Sequence, residues 1–98
     1  MIGIIYNMEQ YTTPSRVYAL ARKYYGPNVE IKQSTRRDKK YMMLNPHTDK
    51  WFHFGQMGYE DYTKHKDNIR RNKFRIRNKK WNNNDIFSPS YLSYNLLW

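Results

Sequence analysis

A run of positive charge between residues 64 and 80 limits what the rest of this chain can build. It holds nine lysine and arginine side chains, half of the 18 in the 98-residue chain, against one acidic residue, Asp67. The remaining residues must therefore form the folded scaffold that carries this segment. Leu, Ile, Val and Phe total only 18 residues, whereas tyrosine alone contributes ten. We therefore expect a single small domain, residues 1–98, with a thin core in which aromatic side chains replace aliphatic ones.

The clearest local signal is a helix bounded by proline at both ends. Thr13 can cap a helix with its hydroxyl, and Pro14 suits the first helical position, where its missing N–H is not needed. Gly26 and Pro27 favour termination. Between them, one helical stripe of apolar side chains is formed by Val17, Leu20, Ala21 and Tyr24. This spacing predicts a helix over about 14–25.

The middle of the chain alternates like a small antiparallel sheet. Residues 40–44 and 51–54 are strand-like and flank turn-forming residues 45–49, which predicts a hairpin over about 39–55. Residues 29–32 alternate apolar and charged side chains and could add a third strand. The expected fold class is α+β: this sheet, the N-terminal helix, a basic helix over about 60–80 and a docked tail.

The basic helix and the tail are predicted from sparse apolar spacing. A seven-residue repeat favours a helix held to the sheet by one narrow seam, formed by Tyr62, Ile69 and Ile76. Residues 74–77 also alternate like a strand, so the second half has two interpretations. The segment 89–98 is apolar in a very polar chain, which predicts docking either on its own core or on a neighbouring protein. Its anchors are Tyr91, Leu92, Leu96, Leu97 and Trp98.

The basic residues are the main candidates for partner contact. A solvated surface usually mixes both charge signs, so a run this one-sided favours a polyanion or an acidic protein surface over a face that merely keeps the protein soluble. A second basic cluster precedes the hairpin. The candidates are Lys64, Lys66, Arg70, Arg71, Lys73, Arg75, Arg77, Lys79 and Lys80, together with Arg36 and Arg37.

Aromatic residues beside the second cluster allow two interpretations. Trp51 and Tyr41 could stack on unpaired bases while basic neighbours contact phosphates. Alternatively, aromatics favour strands and simply fill the thin core. The second interpretation is the stronger one, and Trp51 is the better exposed candidate because it lies across the pleat from Phe52 and Phe54.

Several function classes are not expected. The absence of cysteine removes disulfides, thiolate metal sites and thiol catalysis. His47, His53 and His65 lack tight ligand spacing, so neither a metal nor another cofactor is predicted. No phosphate loop or hydrolase motif is present, which argues against an enzyme, and no small-molecule substrate is expected. No apolar run approaches a membrane span, and residues 1–6 lack signal-peptide features, so secretion is not expected.

Several short motifs follow one another over roughly residues 35–98: Asp38-Lys39-Lys40-Tyr41, Phe54-Gly55, Gly58-Tyr59-Glu60-Asp61-Tyr62-Thr63, His65-Lys66-Asp67, Arg70-Arg71 and the Ser88-Pro89 to Leu96-Leu97-Trp98 ending. Their order resembles a family of short, basic, uncharacterised proteins of large double-stranded DNA viruses of eukaryotes and related viral elements. The resemblance implies a viral context, and it brings no established activity and no functional residue.

Two functions follow as expectations. The first is a non-enzymatic virion component, a minor capsid or capsid-associated protein that docks on an acidic surface of larger virion proteins. The alternative is a non-sequence-specific nucleic-acid-binding protein that neutralises or packages viral DNA. Either would place the protein in the virion, and in host cytoplasm or nucleus during assembly.

Overall fold

The predicted N-terminal helix forms with the predicted bounds. In the computed structural model, which describes residues 8–98, a short 3-10 turn at Met8–Gln10 leads into helix α1, Pro14–Tyr25. The predicted hydroxyl cap is wrong: Thr13 makes no capping bond, because its hydroxyl donates instead to the carbonyl of Thr63, 2.6 Å away. Residues 1–6, on which the secretion expectation rests, lie outside the described residues.

The apolar stripe of α1 is rotated slightly from the predicted one. Val17 and Ala21 are buried, and Leu20 packs against the same core. Tyr24 is exposed, and Tyr25 packs on the core in its place. The side chains at 17, 21 and 25 follow one another at four-residue steps, so they form one continuous ridge toward the sheet.

The predicted sheet is confirmed, with all three strands antiparallel. Strands β1 (Ile31–Gln33), β2 (Lys39–Asn45) and β3 (Lys50–Gln56) lie side by side in that order. The hairpin register pairs Tyr41 with Phe54 and Met43 with Phe52, which brings these four side chains to one face. That face meets α1 and the end of the chain.

The basic segment forms two helices instead of one. Helix α2 spans Tyr62–His65 and helix α3 spans Asn68–Arg77, followed by a 3-10 turn at Lys79–Trp81. The break occurs because Lys66 adopts a left-handed conformation with φ of 55°. Asp67 then caps the new helix, accepting hydrogen bonds from the amides of Ile69 and Arg70 at 2.9 and 3.2 Å.

The predicted seam of the basic helix is wrong. Ile69 and Ile76 are 70% and 73% exposed and contact no core, although Tyr62 is half-buried. The strand-like interpretation of residues 74–77 is wrong as well, since they are helical. The side of α3 that packs inward carries Arg71, Phe74 and Arg75, which seven-residue spacing of aliphatic residues could not reveal.

The tail, residues 89–98, completes the core of its own chain. Helix α4 (Pro89–Leu92) continues into a π-helical turn (Ser93–Leu97), and together they contact α1 and β3. Three tail leucines are at most 2% exposed, and the core they enter contains Leu92, Leu96, Leu97, Val17, Ala21, Tyr41, Met43 and Phe54. Of the two predicted docking partners, the tail's own core is the one observed.

Candidate functional site

A cleft of about 570 Å³ lies between α3, the end of β3 and the tail. Its walls combine cationic side chains with aromatic ones, and Glu60 is the single acidic residue that lines it. The cationic lining residues are Lys39, Lys40, Arg70, Lys73 and Arg77, and the aromatic ones are Phe54, Tyr59, Phe74, Trp81 and Trp98. The volume falls in the range of pockets that hold a small ligand or one unit of a polymer.

Helical periodicity gives α3 three distinct faces. Residues at positions 70, 73, 74 and 77 line the cleft, and these are one face at three- and four-residue spacing. Residues 71 and 75 turn toward the tail. Ile69 and Ile76 lie on a third face and are open to solvent. The sequence places cations on the first two faces. The fold alone shows that those on the first face line the cleft and that those on the second face turn toward the tail.

The two inner arginines hold α3 to the tail. Arg71 donates from Nε to the backbone oxygen of Trp98 at 2.7 Å, and its guanidinium lies 4.5 Å from the ring centre of Tyr62. Arg75 donates to the backbone oxygen of Tyr94 at 3.3 Å and stacks 4.2 Å over the same tyrosine's ring. Both arginines were predicted to face a partner. In the structure, their guanidinium groups instead contact backbone oxygens and tyrosine rings of the same chain.

The remaining cations of the basic segment stay open to solvent. Seven side chains are exposed: Lys64, Lys66, Arg70, Lys73, Arg77, Lys79 and Lys80. Within residues 8–98, the one carboxylate at ion-pair distance from any of them is Glu60, 3.6 Å from Arg70 and itself exposed. Exposed ion pairs contribute little energy, so the cluster keeps its positive field.

The aromatic lining of the cleft is a connected group of rings. Phe74 stacks on Trp98 with centroids 4.2 Å apart and planes within 6° of parallel. Phe74 also meets Trp81 in a T-shaped contact at 5.7 Å. Trp81 remains 37% exposed, so part of its ring is open to an incoming group.

The second predicted cluster gives a mixed outcome. The predicted contact by Tyr41 is wrong, because its ring is fully buried between Tyr18 and Phe54 and its hydroxyl bonds to Thr12. Trp51 is half-buried and carries the ammonium of Lys32 over its ring at 4.8 Å. Arg36 and Arg37 are exposed in the turn before β2 and do not line the cleft.

A buried ion pair fixes the floor of the cleft. The Lys40 ammonium lies 3.2 Å from an Asp61 carboxylate oxygen, and both side chains are at most 2% exposed. Lys40 also donates to the carbonyls of Tyr59 at 2.6 Å and Tyr11 at 3.4 Å. Burial lowers the pKa of Lys40, while the neighbouring Asp61 opposes that shift by stabilising the ammonium.

A threonine cluster continues from this ion pair. The Thr63 hydroxyl donates to the second carboxylate oxygen of Asp61. Thr63 also bonds to Thr12, 3.2 Å away, and accepts a hydrogen bond from the Thr13 amide at 2.9 Å. The network therefore ties the start of α1, strand β2 and helix α2 together and sets where α3 begins.

His65 packs as a structural residue between α2 and α3. Its Nδ1 accepts a hydrogen bond from the Asp67 amide at 2.8 Å, and its ring lies against Trp98 at 5.1 Å. Burial and the nearby Arg70 lower its pKa, which keeps the imidazole neutral near pH 7. Among residues 8–98, no three histidine or acidic side chains converge as a metal site would require.

A family comparison covers the centre of this architecture. A family of unknown function, DUF5754, matches residues 29–78, just over half of the chain. The chain belongs to the DUF5754 family. Neither the curated proteins nor the solved structures contain a match. The family description assigns no activity and no source, so the viral context remains a prediction.

The DUF5754 match contains some parts of the cleft and leaves out others. It includes the sheet, the Lys40–Asp61 pair and all of α3. Trp81 and the tail, which form the opposite wall, lie beyond residue 78. No helix within residues 8–98 has the length and apolar character needed to cross a membrane.

Sequence reasoning missed part of the site in this DUF5754 chain. Trp81, Lys39 and Gln56 were not among the predicted contact residues. A tryptophan that immediately follows a basic run is itself a signal for stacking beside phosphate contacts. The contribution of Ser90 and Ser93 could not be found that way, because they reach the cleft only through the fold of the tail.

Proposed function

We propose that this protein is a non-enzymatic nucleic-acid-binding protein that contacts the phosphate backbone without reading sequence. The observation that supports this most is the exposed cation cluster of residues 64–80, almost free of carboxylates and adjacent to an aromatic cleft. Phosphate neutralisation by lysine and arginine supplies most non-specific nucleic-acid affinity. Aromatic rings next to such cations are typical of proteins that bind single strands.

The position of the tail changes the balance between the two sequence-based functions. The apolar tail, residues 89–98, was predicted to dock either on its own core or on a neighbouring protein, and the second of these would favour docking on larger virion proteins. Since Leu92, Leu96 and Leu97 are buried in the chain's own core, that surface is no longer available. The basic cluster is unaffected, and it supports nucleic acid as the partner.

Charge reversal on the cleft face should weaken binding far more than the same reversal elsewhere. We expect Lys73→Glu with Arg77→Glu to lower affinity for a random-sequence oligonucleotide at least about tenfold, because two phosphate contacts become repulsive. The slope of log affinity against log salt should also become shallower by about 1 to 2. Fluorescence anisotropy between about 50 and 200 mM salt measures both quantities.

The matched control changes the same net charge at exposed positions of α1. Arg22→Glu with Lys23→Glu alters the total charge identically but lies outside the cleft. If both double variants lose affinity equally, the effect is that of net charge alone and the proposed interface is wrong. If the unmodified protein does not bind oligonucleotide at low salt, the proposed function itself fails.

A second candidate, a minor capsid or capsid-associated component that docks on an acidic protein surface, is favoured by Ile69 and Ile76. Their side chains are exposed on α3, and helical spacing places the cation of Lys73 between them, four residues after Ile69 and three before Ile76. An apolar pair next to a cation suits a protein surface with acidic groups around an apolar patch. It serves no purpose in phosphate contact.

Removing that apolar pair separates the two candidates. We expect Ile69→Ser with Ile76→Ser to leave oligonucleotide affinity within about twofold, because exposed apolar side chains make no phosphate contact. Thermal unfolding should change little, since exposed positions contribute within about 0.5 kcal/mol each. If the double variant instead disappears from purified virus particles that contain the unmodified protein, as quantified by mass spectrometry, the capsid role is correct.

A further inference from the structure

We propose that the cleft between α3, β3 and the tail is a stacking site for an unpaired nucleobase, with Trp81 as its platform. Lys73 and Arg77 contact the phosphates that flank that base. This inference rests on the proposed function and narrows its ligand from nucleic acid in general to single-stranded nucleic acid.

The shape of the cleft favours an unpaired base over a duplex. A half-open cleft of about 570 Å³ between two helices and a strand can admit one flat ring system with its sugar. The bases of a duplex are stacked on one another and cannot enter without being unpaired and turned out, which costs a few kcal/mol. A single strand presents its bases without that cost.

Two lining aromatic residues keep an open surface: Tyr59, which is 69% exposed, and Trp81. Of the three rings in mutual contact beside α3, Trp81 is the available platform. Phe74 and Trp98 are stacked on each other at 4.2 Å, so each has one face covered by its neighbour. Trp81 touches this pair only through the T-shaped contact with Phe74 and keeps 37% of its surface exposed. A base that enters the cleft can therefore cover the open part of the indole.

The charged groups are arranged for a backbone that passes along α3. Lys73 and Arg77 are one helical turn apart, about 6 Å along the axis, and both line the cleft. Arg70, one turn before Lys73, is partly neutralised by Glu60 at 3.6 Å and contributes less. Across the cleft, the amide of Gln56 and the hydroxyls of Ser90 and Ser93 can donate to and accept from a base edge.

The test is titration of the whole 98-residue chain with a single-stranded oligonucleotide and with a duplex of the same length. Anisotropy reports affinity, and tryptophan fluorescence reports stacking. We expect the single strand to bind more tightly and to quench fluorescence. Trp81→Leu should reduce single-strand affinity about 5- to 150-fold, the range measured when one stacking aromatic is removed. Duplex affinity should stay within about twofold, since phosphate contacts remain.

Two further variants guard against a loss of fold. Trp81→Phe keeps an aromatic platform, so it should retain most single-strand affinity while the quenching that comes from Trp81 is lost and only that of Trp98, which also lines the cleft, remains. Tyr24→Leu removes an aromatic ring on α1 that lies outside the cleft and is more exposed than Trp81, 57% against 37%, and should change neither signal. Loss of affinity in Tyr24→Leu comparable to that in Trp81→Leu would overturn the assignment to the cleft.

The outcomes distinguish this inference from the function on which it rests. Equal binding of duplex and single strand, with Trp81→Leu unchanged, overturns the stacking site and leaves the phosphate-binding function intact. No binding of either nucleic acid, with binding of poly-glutamate instead, overturns both and assigns the cleft to an acidic protein segment.

Discussion

Deletion of residues 89–98 is expected to unfold the protein and not merely to remove a docking arm. The segment contributes three leucines that are at most 2% exposed, and it lies between α1 and β3. Truncation of a single buried leucine to alanine costs about 2–5 kcal/mol. A small domain is stabilised by only about 5–15 kcal/mol in total, so the loss of three such side chains, about 6–15 kcal/mol, is as large as the whole stability of the fold.

Circular dichroism and thermal unfolding of the truncated chain test this expectation. The helical circular dichroism signal should fall by much more than the deleted residues alone account for. The cooperative unfolding transition should disappear. The chain should also aggregate, because Val17, Tyr41 and Phe54 would lose their cover. A truncated protein that still unfolds cooperatively within a few degrees of the intact one would show that the tail is dispensable.

A graded pair of substitutions shows that burial is the cause. Leu92→Ala, at a fully buried position, is expected to lower the free energy of unfolding by about 2–5 kcal/mol. Ile76→Ala removes a branched side chain of similar size that is 73% exposed, so it should change stability by at most about 0.5 kcal/mol. Equal effects of the two substitutions would contradict the placement of the tail in the core.

The elements that the sequence predicts correctly are those specified by local chemistry. Helix α1 begins after Thr13 and ends before Gly26 because proline and glycine act on the residues next to them. The hairpin is likewise local, since its turn residues and the alternation on either side lie within 18 positions of each other. The predicted pairing of Phe52 and Phe54 on one face follows from the pleat alone.

The basic segment shows where local reasoning fails. Tyr62, Ile69 and Ile76 have the spacing of a helical seam, yet a left-handed Lys66 separates the first of them from the other two. A left-handed lysine leaves no reliable mark in sequence, because it is imposed by the contacts of Asp61 and Thr63 on one side and the cap by Asp67 on the other. After that break, α3 packs through arginine and phenylalanine instead of isoleucine.

The sequence predicts which types of residue form the binding site but not where in the fold the cleft lies. The basic run and the aromatic residues predicted a polyanion site, and several of the predicted cations line the cleft. Its far wall depends on the tail folding back more than ten residues later in the chain, which no periodicity encodes. The burial of Lys40 is equally hidden, since Lys39 and Lys40 are adjacent and chemically alike, and only the pleat directs one of them inward.

Removal of Asp61 is expected to be among the most destabilising single changes in the chain. In Asp61→Ala the Lys40 ammonium would remain buried with only the carbonyls of Tyr59 and Tyr11 as partners. Loss of one partner from a buried ion pair costs about 3–5 kcal/mol, because the other charge is left uncompensated. The Thr63 hydroxyl would lose its acceptor at the same time. Chemical denaturation measures the resulting loss in the free energy of unfolding.

Removing both charges should recover much of that loss. Lys40→Met with Asp61→Asn eliminates the buried ammonium and keeps a carbonyl oxygen that can accept from Thr63. Replacement of a buried pair by uncharged groups is often nearly neutral, so the double variant should be more stable than Asp61→Ala. The exposed pair serves as the control: Glu60→Ala breaks the contact with Arg70, and we expect a change of at most about 1 kcal/mol.

The pH dependence of Asp61→Ala identifies Lys40 as the source of the loss. Burial holds the pKa of Lys40 below its usual value even with Asp61 present, and without Asp61 the pKa must fall further. Between that lowered pKa and the ordinary lysine pKa of about 10.4, the unfolded chain binds a proton that the folded chain does not, so stability rises with pH. Tyr41 has the opposite effect on stability, but only above about pH 10. There the unfolded chain loses the tyrosine proton, whereas burial retains that proton in the folded chain. Between about pH 7 and 9, the free energy of unfolding of Asp61→Ala should therefore rise with pH more steeply than that of the intact protein. A free energy of unfolding that stays constant over this range would mean that Lys40 reaches solvent when its partner is removed.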